Sequence, residues 1–237
     1  HAGAAQACAG GGMNARRFDA VLFDLDGTLV ETSPEIADAT NDLLRDLGLP
    51  PVTQPQVDAW IGHGTRELLV QALAHVRQLP RDAVRADGAM PTIAAQFDRH
   101  YHRRCGTHSR LYPRVMQTLQ QLRGQGTRVG IVTNKEGRHT ERVLAAHGLP
   151  ALLDAVISGD SLPTKKPDPA GILQCLRQWG VAPARALFVG DSRIDIATAR
   201  NAGVAVWALP YGYNMGEPVA DSQPDRMIDD IGALVAA

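Results

Sequence analysis

Two carboxylates separated by one residue lie near the start of the chain, directly after a short apolar run. Residues 21–23 (Val-Leu-Phe) have the character of a buried strand, and Asp24, Asp26 and Gly27 follow them. Because residues i and i+2 of a strand point the same way, the two carboxylates would crowd together unless the chain bends there. Crowded carboxylates repel each other unless a cation lies between them. Such a pair could supply a nucleophile and a proton shuttle.

The same residues also suit a polar turn that does no chemistry. Asp and Gly are ordinary turn residues, so the spacing alone does not separate the two interpretations. The choice depends on where the other polar residues of the chain fall.

Composition limits the classes of protein to which the chain can belong. It has 237 residues, 44% hydrophobic and 21% charged, which is typical of one large globular domain or one domain with an insertion. The net charge of -1 gives no broad basic surface, so we expect no nucleic-acid partner. No apolar stretch approaches the roughly 20 residues of a membrane span, so we expect no membrane partner.

Cysteine usage bears on the cellular compartment. Cys8, Cys105 and Cys175 are far apart and form no CxxC pair. This argues against a disulfide framework or a zinc knuckle and favours a reducing, cytoplasmic location.

The first twelve residues are small and lack the basic start and long apolar centre of a secretion signal. We interpret residues 1–12 as a tag remnant or an upstream translated segment. Met13 is then the expected native start.

Apolar spacing predicts an α/β core interrupted by a helical insertion. From Pro34 onward the apolar period is helical, and no convincing strand occurs between residues 34 and 110. We therefore expect residues 13–33 and 111–237 to form the core and residues 34–110 to form a helical cap. Within the cap, helices are expected at about 53–60, 65–79 and 92–105.

Strands and helices alternate in the rest of the chain. Buried strands are expected at residues 128–133, 155–158, 186–190 and 204–209, and the helices between them at about 114–124, 137–147, 168–179 and 193–202. Alternation of near-continuous apolar strands with helices predicts a doubly wound parallel sheet covered on both faces.

Polar residues follow three of the predicted strands at their carboxyl ends. Asp24 and Asp26 follow the first strand, Thr133 and Asn134 the second, and Asp191 the strand at 186–190. Parallel sheets bind ligands at this edge, so these side chains are expected to converge on one crevice.

Four segments, in this order, resemble the motifs of the haloacid-dehalogenase-like phosphatases. They are Asp24-Leu25-Asp26-Gly27-Thr28, Val132-Thr133-Asn134, Lys166-Pro167-Asp168 and Gly190-Asp191-Ser192-Arg193-Ile194-Asp195. Residues 211–217 and 60–64 further resemble the bacterial phosphoglycolate phosphatase branch. The resemblance covers essentially everything from residue 18 onward.

The resemblance implies a role for each core residue. Asp24 would be the nucleophile that forms an aspartyl-phosphate, and Asp26 would protonate the leaving alkoxide and then deprotonate the attacking water. Lys166 would supply fixed positive charge to Asp24 and the phosphoryl group. The Thr133 hydroxyl and the Asn134 backbone N–H would bind phosphate oxygens.

A crevice with four carboxylates that must accept a dianion calls for a hard divalent cation, and Mg²⁺ is the expected cofactor. By resemblance, Asp24, the backbone carbonyl of Asp26 and Asp191 hold the ion. Asp195 would orient the ligands or the lysine. The alternative for Asp191 and Asp195 is helix capping, since Gly190-Asp191-Ser192 would make a reasonable helix N-terminus.

Other polar residues are weaker candidates. His100, His102 and Cys105 are expected on a helix surface, because the two histidines are spaced to face apart. Lys165 is expected to be solvated. His63, between two glycines, and Arg66 are candidate substrate contacts from the cap, Arg66 as the partner of a substrate carboxylate.

Together these patterns predict a Mg²⁺-dependent phosphatase acting on a small phosphorylated metabolite, with 2-phosphoglycolate first among the substrates. The alternatives are a phosphosugar phosphatase or a phosphomutase of the same superfamily, or a non-catalytic phosphoacceptor binding protein. The assembly is expected to be a monomer or a small homo-oligomer.

Overall fold

The computed structural model describes residues 18–236 of the chain. The segment interpreted as a tag or upstream sequence, residues 1–12, and the expected start at Met13 lie outside the described residues.

A six-stranded sheet forms the centre of the molecule, and its strands all run parallel in the order β5-β4-β1-β6-β7-β8. The strands are β1 (Ala20–Phe23), β4 (Arg128–Val132), β5 (Ala155–Ile157), β6 (Ala186–Gly190), β7 (Ala205–Ala208) and β8 (Arg226–Met227). The central strand β1 is flanked by β4 and β6, so the carboxyl ends of these three strands are adjacent.

Helices cover both faces of this sheet. They are α6 (Val115–Gly124), α7 (Gly137–Ala146), α8 (Ala170–Trp179) and α9 (Arg193–Ala202). Side chains of β1 alternate between two hydrophobic clusters: Val21 and Phe23 belong to one, and Ala20 and Leu22 to the other. Because both faces of the strand are buried, its sequence is apolar throughout, and the predicted doubly wound α/β class is confirmed.

Five helices lie between β1 and α6. They are α1 (Ser33–Asp46), α2 (Gln54–Asp58), α3 (Thr65–Arg77), α4 (Arg81–Arg85) and α5 (Met90–Arg104). Two short antiparallel strands flank this helical region and pair with each other, β2 (Val30–Glu31) and β3 (Arg110–Leu111). The chain therefore leaves the core and returns to it at one point.

The helical region and the core share one hydrophobic cluster. Phe97 and Tyr101 of α5 belong to the same cluster as Phe23 of β1. The buried Glu35 of α1 accepts the backbone N–H groups of Gly106 (2.8 Å) and His108 (3.3 Å). The division into a core and a cap at residues 34 and 110 stays a prediction, because the packing is continuous across it.

Most helices begin and end within two residues of the predicted positions, but the short elements were missed. These are β2, β3, α4 and β8, each two to five residues long. Two residues are too few to show a strand period, and such strands form only because a partner lies alongside.

No helix in the described part of the chain combines the length and the apolar character that crossing a membrane requires.

The sheet core gives a first prediction about stability. Leu22 is fully buried in the central strand, so Leu22→Ala should lower the free energy of unfolding by about 2–5 kcal/mol. Val156→Ala, on the edge strand β5, is the matched control, because Val156 is 36% exposed and should cost far less. Urea unfolding followed by circular dichroism measures both. Equal losses would show that β1 is not the centre of the core.

Candidate active site

The chain turns sharply where β1 ends, and the turn separates the two carboxylates. The backbone N–H of Asp24 donates to Val189 O (3.0 Å), which extends the pairing of β1 with β6. Gly27 then adopts φ +82°, and a Cβ there would lie 2.8 Å from the Tyr213 ring. The bend gives Asp24 and Asp26 different cationic partners, so the predicted crowding is relieved.

Asp24 is paired with Lys166. The Lys166 Nζ lies 2.9 Å from Asp24 Oδ1 and 2.7 Å from Asp195 Oδ1, and its side chain is 3% exposed. Burial lowers the pKa of Lys166, but the carboxylates of Asp195 and Asp24 outweigh burial and hold that pKa above its ordinary value. Lys166 is therefore a fixed cation between two acids.

One cation does not neutralise the acids around it. Burial, with repulsion from Asp195, raises the pKa of Asp24 to about 7 against the lowering effect of Lys166. Burial and the charges of Asp195 and Asp24 raise the pKa of Asp191 well above its ordinary value. Ligand oxygens of Asp24, Asp191 and Asp195 lie within 4.8 Å of one another, so this buried cluster could hold a metal ion.

Asp191 is held on both oxygens by the protein. Thr28 Oγ1 donates to Oδ1 (2.5 Å), and the backbone N–H of Tyr213 donates to Oδ2 (2.5 Å). These two contacts fix the carboxylate next to Asp24 before any ligand binds.

Asp195 caps α9 and also binds the lysine. Its Oδ2 accepts the backbone N–H groups of Asp191 (3.0 Å) and Ser192 (3.1 Å), as part of a capping box with Ser192. Its Oδ1 accepts from Lys166. The capping interpretation and the orienting role are therefore compatible, because each uses a different oxygen.

Thr133 and Asn134 follow β4, which pairs with β1, the strand that precedes Asp24. The Asn134 side chain accepts the Lys166 N–H (2.9 Å) and donates to Lys166 O (3.1 Å) and to Gly62 O (3.3 Å). Asn134 thus fixes the backbone of the catalytic lysine candidate and contacts the cap loop. The sequence suggested only a backbone role for it.

Lys135 is a site residue that the sequence reasoning missed. Its Nζ lies 3.0 Å from Asp26 Oδ1 and 4.7 Å from the centre of the Tyr101 ring, and its side chain is 4% exposed. Thr32 Oγ1 donates to the same oxygen of Asp26 (2.6 Å). The available signal was position alone: Lys135 directly follows Thr133 and Asn134 at the end of a strand.

The cap closes over these residues and leaves a cavity of about 60 Å³, room for a few water molecules. Core residues line one side of it, among them Asp24, Asp26, Thr133, Lys135, Lys166 and Asp191. Gly64, Thr65 and Leu68 of the cap line the other side. Thr65 Oγ1 donates to Glu136 Oε2 (3.0 Å) across the cavity's edge, so the cap is held closed.

His63 and Arg66 lie outside this cavity. Both line an outer groove of about 750 Å³ that also contains Lys165 and Arg193. Gly62 and Gly64, on either side of His63, line the cavity, whereas His63 Nε2 lies 3.0 Å from Met215 Sδ in the outer groove. Arg66 follows Thr65 on α3, where consecutive side chains point about 100° apart. The structure does not bring either residue to Asp24.

One further expectation, the placement of Cys105, needs correction. Cys105 is buried, not on a helix surface, and burial raises the pKa of its thiol to about 12. The His100 Nε2–H donates to Asp46 Oδ2 (2.7 Å), and within residues 18–236 no metal cluster includes His100, His102 or Cys105. Lys165, expected to be solvated, is exposed but donates to His63 O (3.1 Å).

The sequence matches the model of the haloacid dehalogenase-like hydrolase family over residues 21–209. A relative from Haemophilus influenzae (strain 86-028NP) named phosphoglycolate phosphatase is 38% identical, and the alignment covers 92% of this chain and 97% of that relative. A relative of the same name from Aliivibrio fischeri is 39% identical, and the alignment covers 91% of this chain and 94% of that relative.

Solved structures agree with the sequence comparison. The crystal structure of a predicted phosphoglycolate phosphatase from Haemophilus somnus 129pt superimposes with a TM-score of 0.86 at 37% identity, covering 94% of this chain and 98% of that one. A β-phosphoglucomutase structure from Thermotoga maritima shares the fold at 20% identity, with a TM-score of 0.71. The order of the motifs, the site they form and both comparisons agree, and the chain belongs to the haloacid dehalogenase-like hydrolases.

Proposed function

We propose that this protein hydrolyses 2-phosphoglycolate to glycolate and phosphate in a Mg²⁺-dependent reaction through an aspartyl-phosphate. The observation that carries the proposal is that Asp24 pairs with the buried Lys166 while Asp26 pairs with the buried Lys135, at one edge of the sheet. One carboxylate can then attack phosphorus while the other exchanges a proton. The name shared by relatives at 38–39% identity supports the choice of substrate.

Asp24 is the proposed nucleophile. A carboxylate oxygen of Asp24 forms a bond to phosphorus as the bond to the ester oxygen breaks, and Asp26 donates a proton to that departing oxygen. Asp26 then removes a proton from the water that attacks the aspartyl-phosphate and releases inorganic phosphate. Within the described residues, Thr32 and Lys135 bind Oδ1 of Asp26, which leaves Oδ2 to exchange the proton.

The phosphoryl group needs donors that are fixed before the reaction. The proposed donors are the Lys166 ammonium, the Thr133 hydroxyl and the backbone N–H of Asn134. Lys166 is held by two carboxylates and by the Asn134 side chain, so it needs no rearrangement when charge develops on the phosphoryl oxygens.

The acid cluster fits a hard cation. Asp24 and Asp191 are carboxylates with raised pKa values in one cluster, and oxygen ligands of this type suit Mg²⁺. The ion would be held by the carboxylates of Asp24 and Asp191 and by the backbone carbonyl of Asp26. Both Asp195 oxygens already accept hydrogen bonds, from Lys166 and from the Asp191 backbone N–H, so Asp195 would orient those residues. When bound, Mg²⁺ would neutralise charge on the phosphoryl group.

Cavity size favours a small ester over the alternatives. The closed cap leaves about 60 Å³ beside Asp24, so a phosphosugar would need the cap to stay further open than a two-carbon acid does. A non-catalytic phosphoacceptor would not need Asp26 to be held beside Asp24. The unpaired buried thiols of Cys105 and Cys175 suit a reducing cytoplasm, which we propose as the location.

Replacing the nucleophile should abolish turnover without unfolding the protein. Asp24→Asn keeps the side-chain size but removes the attacking oxyanion, so release of phosphate from 2-phosphoglycolate should fall at least about a thousandfold. A phosphate-release assay measures the rate, and a thermal melt of the same sample serves as the folding control. Substantial turnover by folded Asp24→Asn would sink the covalent route.

Removal of the metal should stop the reaction reversibly. Excess chelator should bring phosphate release to background, and added Mg²⁺ should restore it. Ca²⁺ should restore it poorly, because its longer and more variable coordination misplaces the phosphoryl group. Unchanged activity in chelator would contradict the assignment of the acid cluster.

Stability of the metal-free protein should depend on pH through Asp24. Its pKa is about 7 in the folded protein against 3.8 ordinarily, so the folded state binds more protons between about pH 4 and 7. The free energy of unfolding should therefore fall as pH rises through that range, by at most about 1.4 kcal/mol per pH unit for one proton, and level off above pH 7.

Urea unfolding in chelator at pH 5 and pH 7.5 measures this dependence. Asp24→Asn carries no titrating group at that position, so its decline should be shallower than that of the unmutated protein. Saturating Mg²⁺ should offset the loss at pH 7.5, because the cation binds the ionised carboxylates. Parallel pH dependences for the two proteins in chelator would show that Asp24 is not perturbed.

A further inference from the structure

The cavity contains two buried cations with different surroundings. Among the described residues that line it, Lys135 and Lys166 carry the positive charges. Lys166 lies between Asp24 and Asp195, so its charge is shared by two acids. Lys135 forms an ion pair with Asp26, and the charges of Glu136 and Glu35 act on it without such contact. Lys135 thus has one direct carboxylate partner where Lys166 has two.

We propose that the Lys135 ammonium binds the carboxylate of the substrate and so selects phosphorylated hydroxy acids over neutral phosphate esters. The inference rests on the proposed function, because it names the group that recognises the acid end of 2-phosphoglycolate. It assigns to a core residue the role that the sequence suggested for Arg66.

Lys135 has a donor to spare. A lysine ammonium carries three N–H groups. Asp26 Oδ1, at 3.0 Å, takes one, and the Tyr101 ring face, with its centre 4.7 Å away, faces a second. The third is available to a ligand in the cavity, which Lys135 lines. The Lys135 side chain is 4% exposed, so water competes little for this third N–H group and a charge-assisted hydrogen bond from it to an anion would be strong.

The opposite wall of the cavity also favours an anion. Helix α3 is 13 residues long and begins at the cavity, where Gly64 is the N-cap and no side chain caps the helix. Its first backbone N–H groups carry the positive end of the helix dipole. A carboxylate between Lys135 of the core and the start of α3 would therefore meet positive potential from both sides.

The substrate's two ends need separate cations. Lys166 and the proposed metal serve the phosphoryl end beside Asp24. A second anion in the same cavity would be repelled by Asp26 and Glu136 unless another positive charge lay beside them. Glu136 is already engaged by Thr65 Oγ1 (3.0 Å), and Asp26 is engaged by Lys135 itself. Lys135 is the cation in position to offset that repulsion.

Arg66 does not compete for this role. Arg66 lines the outer groove and does not line the cavity. Within residues 18–236, no hydrogen bond or ion pair connects the Arg66 side chain to a residue that lines the cavity.

The test compares 2-phosphoglycolate with ethyl phosphate, which has the same number of carbons and no carboxylate. We measure kcat/KM for both esters in the unmutated protein and in Lys135→Met and Lys135→Gln. Met removes the charge at similar length, and Gln keeps a hydrogen-bond donor for Asp26. Both variants should lose about tenfold to a hundredfold more activity on 2-phosphoglycolate than on ethyl phosphate. Lys165→Met, an exposed lysine at the mouth, is the matched control and should leave the ratio unchanged.

Several results would overturn the inference. Equal losses on the two esters would mean that Lys135 only positions Asp26. A changed ratio in Arg66→Ala, with an unchanged ratio in the Lys135 variants, would return the role to Arg66. Absence of a preference for 2-phosphoglycolate in the unmutated protein would remove the carboxylate subsite altogether. No hydrolysis of 2-phosphoglycolate alongside hydrolysis of ethyl phosphate would reject the proposed substrate, and hydrolysis of neither would reject the proposed activity.

A measurement on the unmutated protein covers the case in which the Lys135 variants do not fold. Two non-hydrolysable phosphonates of equal chain length, 3-phosphonopropionate and propylphosphonate, are compared as inhibitors of ethyl phosphate hydrolysis. The carboxylate-bearing compound should inhibit at least about tenfold more tightly. Equal inhibition would show that the cavity does not read a carboxylate.

Discussion

Buried negative charge at the carboxyl ends of three strands is the constraint on which the site depends. Asp24, Asp191 and Asp195 lie within 4.8 Å of one another, and a single lysine, Lys166, lies among them. Burial and mutual repulsion raise the pKa of Asp24 to about 7, so the protein without a cation cannot hold all of these groups ionised at low cost. A divalent cation would relieve part of that cost and would also offset the negative charge of a phosphoryl group, so metal binding, substrate binding and the free energy of unfolding are coupled.

The parallel sheet and the helices that follow its strands position this charge cluster. Strands β4, β1 and β6 are adjacent, so residues that follow them meet without long loops. Asn134 fixes the backbone of Lys166, and Asp195 caps α9 while it binds the same lysine. The donors are therefore positioned by secondary structure, and little rearrangement is needed when charge develops on a reacting group.

The helical cap supplies part of the cavity wall. Through Tyr101 it contacts Lys135, and through Thr65 it contacts Glu136, so closing the cap completes the surroundings of the cavity. The nucleophile of a phosphatase attacks a phosphoryl group, which all phosphate monoesters share. Selection among these esters therefore needs contacts with the rest of the substrate. The part of the substrate that differs must be recognised by the cap and by core residues that face it.

The sequence by itself determined the longer strands, the long helices and the convergence of Asp24, Thr133 and Asp191 on one edge, because the apolar period is a local pattern and parallel strands present their carboxyl ends at the same edge. It did not determine which way a side chain in a loop or at a helix start would face. Lys135 was overlooked and Arg66 was favoured for this reason: charge can be read from sequence, but access to a cavity depends on packing between segments far apart in the chain. The tertiary structure decided that Lys135 lies against Asp26 and that Arg66 lies in the outer groove.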